Sequence, residues 1–192
     1  LEAWYPGQEG GSAIADIIFG DYNPNGKLPI TFYKNDQQLL DFYDYNIFKG
    51  RTYMYLDEKP LFPFGYGMSY TTFEFDNFKL NKKRFNAYDT LKIRFDIKNV
   101  GDMDGMEVAQ LYVRAKGTSK YNPTKQLKAF EKVNISSGEQ NRSVLKIPVS
   151  ALASYNNDIK KEVVNRGEYQ IMVGNSSEDI FFNESFSIHH NK

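Results

Sequence analysis

Side chains able to carry chemistry are abundant in this 192-residue chain only as carboxylates, 24 of them, against two histidines and no cysteine. His189 and His190 lie together at the C-terminus, which leaves no internal base for a serine triad and no histidine cluster for a metal. Without cysteine there is no thiolate nucleophile, disulfide or thiolate-bound zinc. Asp102-Met-Asp104-Gly105 opens like a calcium loop, but the later ligands and the closing glutamate are missing, and a turn accounts for it better. The other carboxylates fall in turns or on wet strand faces, and their spacing singles out no catalytic pair. Two places keep a functional reading. Gln8 and Glu9 precede a helix in a glycine-rich loop, and Tyr45, Arg51 and Tyr53 belong to a long aromatic stretch. Glu9 could face a cleft, but acids at helix starts complement the dipole by about 0.3 to 1 kcal/mol whatever the function, so that reading is preferred.

The elements that must position these residues change character along the chain. Ala13, Ile14, Ile17 and Ile18 share one stripe of a helix between Gly11 and Gly20, with Gly20 as its C-terminal cap. Pro24 and Asn25-Gly26 force a turn, and Leu28 to Phe32 reads as a short strand. Each isoleucine is worth about 1.5 to 3 kcal/mol on burial, so the stripe needs a partner surface. A loop, one helix and one strand leave no room for a sheet beneath them, and the chain is expected to begin inside a domain. Tyr33 to Pro60 is polar, aromatic and irregular, too long for an idle connection in a compact protein. Leu61 to Phe73 packs two glycines and a proline among aromatics, a tight turn feeding a strand.

Beyond Thr72 the period becomes two. Leu91, Ile93, Phe95 and Ile97 alternate with Lys92, Arg94, Asp96 and Lys98, a strand with one wet face. Val108 to Val113 is expected to pair back on it as a hairpin through Asn99 to Gly105. Phe73–Leu80, Gln126–Ile135, Ser143–Val149, Tyr169–Val173 and Ser185–Ile188 are further strands, with a helical turn within Ser150–Tyr155. This is mainly β: an immunoglobulin or fibronectin III-like antiparallel β-sandwich.

Composition narrows the partners. Equal numbers of basic and acidic residues give zero net charge, and no basic run tracks a phosphate backbone, so nucleic acid is not an expected partner. No apolar run approaches the roughly 18 residues of a membrane span. The lack of cysteine does not settle the compartment; the composition suits a periplasmic or secreted module better than a cytoplasmic one.

Trp4-Tyr-Pro-Gly-Gln-Glu-Gly-Gly11 and Gly20-Asp-Tyr-Asn-Pro-Asn-Gly-Lys-Leu-Pro-Ile-Thr-Phe32 closely resemble the end of the α/β domain of glycoside hydrolase family three, the β-glucosidases and β-xylosidases. Phe64-Gly-Tyr-Gly-Met-Ser-Tyr-Thr-Thr-Phe73, Asn99-Val-Gly-Asp102, Gly105 to Arg114, Lys128 to Val133 and Gly167-Glu-Tyr169 resemble the fibronectin III-like domain that follows it. Asn25, Met68 and Ala129 depart from the usual serine, leucine and glycine; Met54 in Gly50-Arg-Thr-Tyr-Met-Tyr55 stands where the xylosidase-leaning branch has arginine. The division implied is residues 1–32 as a remnant of the α/β domain, 33–70 as a connecting loop and 71–192 as the sandwich.

The resemblance implies retaining hydrolysis of terminal β-linked glucose or xylose by two carboxyl groups about 5 to 5.5 Å apart. In the family these come from an N-terminal barrel and from the α/β domain, in motifs preceding the matched region, so no residue here inherits a catalytic role. The chain alone is expected to be inactive and structural, without cofactor or metal. Its expected partners are the upstream catalytic domains of the parent chain and, through their active site, a β-linked oligosaccharide. Aromatic rings stack on sugar faces and arginine forks reach hydroxyls, so Tyr45, Arg51 and Tyr53 could border that substrate or clamp a linker, as Gln8 and Glu9 could line its cleft. The alternative is an independent carbohydrate- or protein-binding sandwich, but Lys92, Arg94, Lys98 and Lys146 occupy the wet faces where a flat aromatic row would be needed.

Overall fold

The computed structural model describes residues 1–117 and 122–189; His190 falls outside them. The chain opens with helix α1 (Gly10–Phe19), ended by Gly20 at φ 87°, where a residue without Cβ takes the left-handed cap without strain. Leu28 to Phe32 does not form the expected strand. It bends at Pro29 and Ile30 while passing beside residues 62–66, with Leu28 N–H donating to the Tyr66 carbonyl and a single bridge from Phe32 to Phe62. Pro29, lacking an N–H, cannot continue a ladder there. The loop beyond holds two 3-10 turns, Asp36–Gln38 and Ile47–Lys49, and the one-turn helix α2 (Thr52–Tyr55). Asn35 and Asn46 cap the two turns by accepting from backbone N–H groups of Gln37 and Phe48.

Ten strands follow: β1 (Phe73–Leu80), β2 (Arg84–Phe85), β3 (Thr90–Asn99), β4 (Gly105–Ala115), β5 (Gln126–Ile135), β6 (Gln140–Pro148), β7 (Ser154–Asn156), β8 (Lys161–Val163), β9 (Gly167–Gly174) and β10 (Ile180–Ile188). One sheet has the order β1-β3-β6, the other β2-β10-β9-β4-β5, and β7-β8 is a separate ribbon. Leu91, Ile93, Phe95 and Ile97 of β3 pack with Ala109, Leu111 and Val113 of β4 and Ile171 and Val173 of β9 in one core. A mainly β, fibronectin III-like sandwich is thus what the period-two patterns build. The turn expected within Ser150–Tyr155 is a 3-10 turn at Val149–Leu152, after which the chain enters β7.

Two further expectations are corrected. β3 and β4 form no hairpin: β3 pairs with β1 and β6, and β4 with β5 and β9. Asn99 explains the crossing. Its fully buried amide donates to the carbonyls of Met103 and Ile135 and accepts from Thr71 Oγ1 and Gly101 N–H, tying the two sheets together where a hairpin turn would leave them in one. Asp96 is not on a wet face but buried, bonded by Arg142 Nε at 2.8 Å and by Asn77 Nδ2 at 2.9 Å. The hydrogen-bonded Arg142 guanidinium, aided by Asn77, holds the Asp96 carboxyl below its ordinary pKa.

Candidate functional site

Residues 1–70 meet the sandwich along the outer face of β4. There Gln110 and Tyr112 point away from the core yet are buried, so β4 is covered on both sides. The cover comes from residues 50–67. Tyr53 stacks on Phe64 with ring centroids 4.4 Å apart, meets Tyr112 edge-on at 5.9 Å, and its hydroxyl accepts from Leu127 N–H. Burial raises the pKa of both tyrosines, which keeps them neutral hydrogen-bonding groups. Gln110 Nε2 donates to the carbonyls of Gly65 and Asn175, while its Oε1 accepts from Tyr112. Thr124 N–H donates to the Met54 carbonyl, and Lys27 reaches Glu107 across 2.7 Å with both side chains largely buried. The first seventy residues are therefore stapled to the sandwich by a polar and aromatic seam.

The candidate residues divide into two groups. Gln8 and Glu9 are exposed at the start of α1; Glu9 holds the capping position, but its side chain accepts from Ser12 Oγ and not from a backbone N–H. Tyr45 is 81% exposed at the tip of the loop, beside equally exposed Phe42 and Tyr43. Arg51 stands beneath that tip: its Nη2 donates to the carbonyls of Asp41 at 3.0 Å and Asp44 at 2.6 Å, and its buried Nε has no hydrogen-bond partner. The Asp44 carboxyl is bonded by Lys49 at 2.6 Å, which, with the Asn46 N–H, lowers its pKa. Tyr53 faces the seam and not the loop tip. Sequence reasoning passed over Gln110 and Tyr112; their signal was a strand, Gly105 to Val113, too apolar to have one wet face.

Three further carboxylates are paired with cations: Asp89 with Lys82, Glu178 with Lys125 and Glu184 with Lys83. Among the described residues no group of three or more histidines and acids could hold a metal, and no helix is long and apolar enough to cross a membrane. A cavity of about 280 Å³ between Gly26–Pro29 and Leu127–Lys132 is lined mainly by apolar atoms and by no carboxylate.

Residues 1–70 match the family model of the glycosyl hydrolase family 3 C-terminal domain, and residues 107–177 that of a fibronectin type III-like domain. The chain is 45% identical to the xylan 1,4-beta-xylosidase of Xylanibacter ruminicola, aligning 93% of its residues with 20% of that protein. It is 40% identical to the thermostable beta-glucosidase B of Acetivibrio thermocellus, with 98% of the chain against 26% of that protein. The beta-D-glucoside glucohydrolase of Trichoderma reesei superposes with a TM-score of 0.84 at 29% identity, over 96% of this chain and 29% of that one. The chain thus spans about a quarter of the length of the relatives it matches. In sequence and in fold it belongs to glycoside hydrolase family three, of which it carries the C-terminal domain region and the fibronectin III-like domain.

Proposed function

We propose that the chain is the non-catalytic C-terminal part of a retaining β-glycosidase that removes terminal β-linked glucose or xylose from oligosaccharides or glycosides. The observation that carries this reading is identity of 40 to 45% along nearly the whole chain to a β-glucosidase and a β-xylosidase of which it matches about a quarter. Residues 1–32 complete the α/β domain of the parent, 33–70 connect, and 71–192 form the bracing sandwich. The apolar residues left open on α1, Ile18 and Phe19, are the surface on which that domain closes. Gln8, Glu9 and Tyr45 face the cleft of the catalytic domains, while Arg51 and Tyr53 hold the loop that presents Tyr45.

A chimera tests this directly. Replacing the matching quarter of the Acetivibrio thermocellus beta-glucosidase with this chain is expected to leave an enzyme that releases nitrophenol from a nitrophenyl β-glucoside, while the 192-residue chain alone releases none. A folded, inert chimera, or turnover by the purified chain alone, overturns the reading.

A further inference from the structure

The outer face of the β1-β3-β6 sheet is basic in a chain whose net charge is zero. Cross-strand register sets Lys79 opposite Arg94 and, in the neighbouring row, Lys92 opposite Lys146. Like charges placed directly opposite repel, and here two such rows adjoin with no acid between them. All four side chains are exposed, and none has a carboxylate within ion-pair distance among the described residues. Arg142, next to them on β6, is bound to Asp96 but leaves its guanidinium open to solvent. Of the other acids of this face, Glu74 stands at the far end of β1 opposite Lys98, and Asp76 stands beside the slip opposite Asp96, where it accepts from the Asn77 N–H.

A surface of scattered charges would be only a solvated face; this one also has a built recess. The β1–β3 register slips between Asp76 and Lys79, Asn77 takes a left-handed backbone (φ 55°), and Asn77, Phe78, Lys79, Arg94, Asp96 and Arg142 line a cavity of about 430 Å³. Bulges of this kind re-aim side chains. We propose that this recess and the two basic rows beside it bind a uronate-bearing polysaccharide.

The chemistry selects that partner. Arginine forks match carboxylates in pairs, and cations repeat about 6.6 Å apart along β3 on strands about 4.8 Å apart, a flat grid suited to a linear polyanion. Asn77, exposed at the slip, adds an amide oxygen that can accept from sugar hydroxyls, while Asp96 beneath it is buried and holds Arg142 in place. The outward residues of β1, β3 and β6 include no aromatic side chain on which nucleobases could stack, and Val144 and Pro148 are the apolar groups among them, too little to enter a bilayer. The site is independent of the glycosidase reading, because its test measures binding and not hydrolysis.

The test is retardation of the full chain in native gels containing glucuronoxylan, or the same polymer with its carboxyl groups reduced to alcohols. Retardation is expected with the first and absent with the second, and to weaken as salt rises. The paired substitution Lys92→Gln/Arg94→Gln is expected to weaken binding about tenfold. Lys161→Gln/Arg166→Gln, off this face, should leave it unchanged. Lys92→Glu/Arg94→Glu is expected to abolish retardation with no fall in melting temperature, since the carboxylate introduced at position 92 would stand opposite Lys146. Equal retardation by the reduced polymer, equal weakening by the off-face pair, or tighter binding of a thymidine oligonucleotide than of glucuronoxylan overturns the proposal.

Discussion

Among the described residues, every buried apolar side chain of the core lies between Phe85 and Ile188, whereas residues 1–70 bury only Gly10, Pro60 and Gly65. Yet the first region is hardly less apolar: Ile18, Phe19, Phe42, Tyr43 and Tyr45 are all on its surface. Two kinds of cohesion follow. The sandwich is held by apolar area removed from water, which is cooperative and non-directional. The first seventy residues are held to it by the seam of Tyr53, Gln110, Lys27 and Thr124, made of directional bonds worth about 1 kcal/mol each. The sandwich is a finished domain in this sense, and the first seventy residues keep surface for a larger body.

The core gives the severest test of this contrast. Phe95 is fully buried between the stacked rings of Phe75 and Phe78, and Phe95→Ala should cost about 3 to 5 kcal/mol in a urea melt. A loss below about 1 kcal/mol would mean that the sandwich is no better packed than the rest. Asn99→Ala comes next, at about 2 to 3 kcal/mol, because it strands the buried carbonyl of Ile135 and the hydroxyl of Thr71. Asn99→Asp should fail to rescue it, since a carboxylate cannot donate to the two carbonyls. At the seam, Gly65 has φ 80°, and a Cβ there would meet the Gln110 amide oxygen at 2.1 Å. Gly65→Ala should cost about 1 to 3 kcal/mol and speed amide exchange in residues 50–67 while β3 and β4 stay protected. Equal loss of protection in both regions would show that they unfold as one unit.

How much of this was legible in the sequence depends on the same distinction. Period-two alternation gave β3 its core face, Leu91, Ile93, Phe95 and Ile97, because a strand with one core face writes that face into every second position, and the expected bounds of β1 and β5 hold to the residue. The α1 stripe and its Gly20 cap were equally plain. Partner choice was not: Asn99-Val-Gly-Asp102 reads as any turn, and only three-dimensional placement shows the Asn99 amide joining two sheets. Asp96 fits the alternation as an outward residue and is buried because Arg142, 46 positions on, lies beside it in register. At the candidate site, exposure of Tyr45 followed from a polar aromatic loop, but the inward turn of Tyr53 did not, since its partners Phe64, Tyr112 and Leu127 are brought together only by the fold. The basic rows were visible as Lys92, Arg94 and Lys146, but Lys79 joins them only through the slipped register.

The finest discrimination between the two regions comes from a substitution that should do almost nothing. Phe19 is 82% exposed at the end of α1, so Phe19→Ser in this chain should change stability by no more than about 0.5 kcal/mol. Amide exchange across Ile14 to Ile18 should be fast in either form, because α1 buries only Gly10 and opens without cost to the core. In the chimera with the Acetivibrio thermocellus domains the same substitution should cost about 1.5 to 3 kcal/mol and slow-exchanging amides should appear in α1, since the ring would then be covered. A substitution neutral in both settings would mean that Phe19 stays on the surface in the larger protein. A substitution costly in the chain alone would mean that α1 already packs on something here, and the contrast between the two regions would fail.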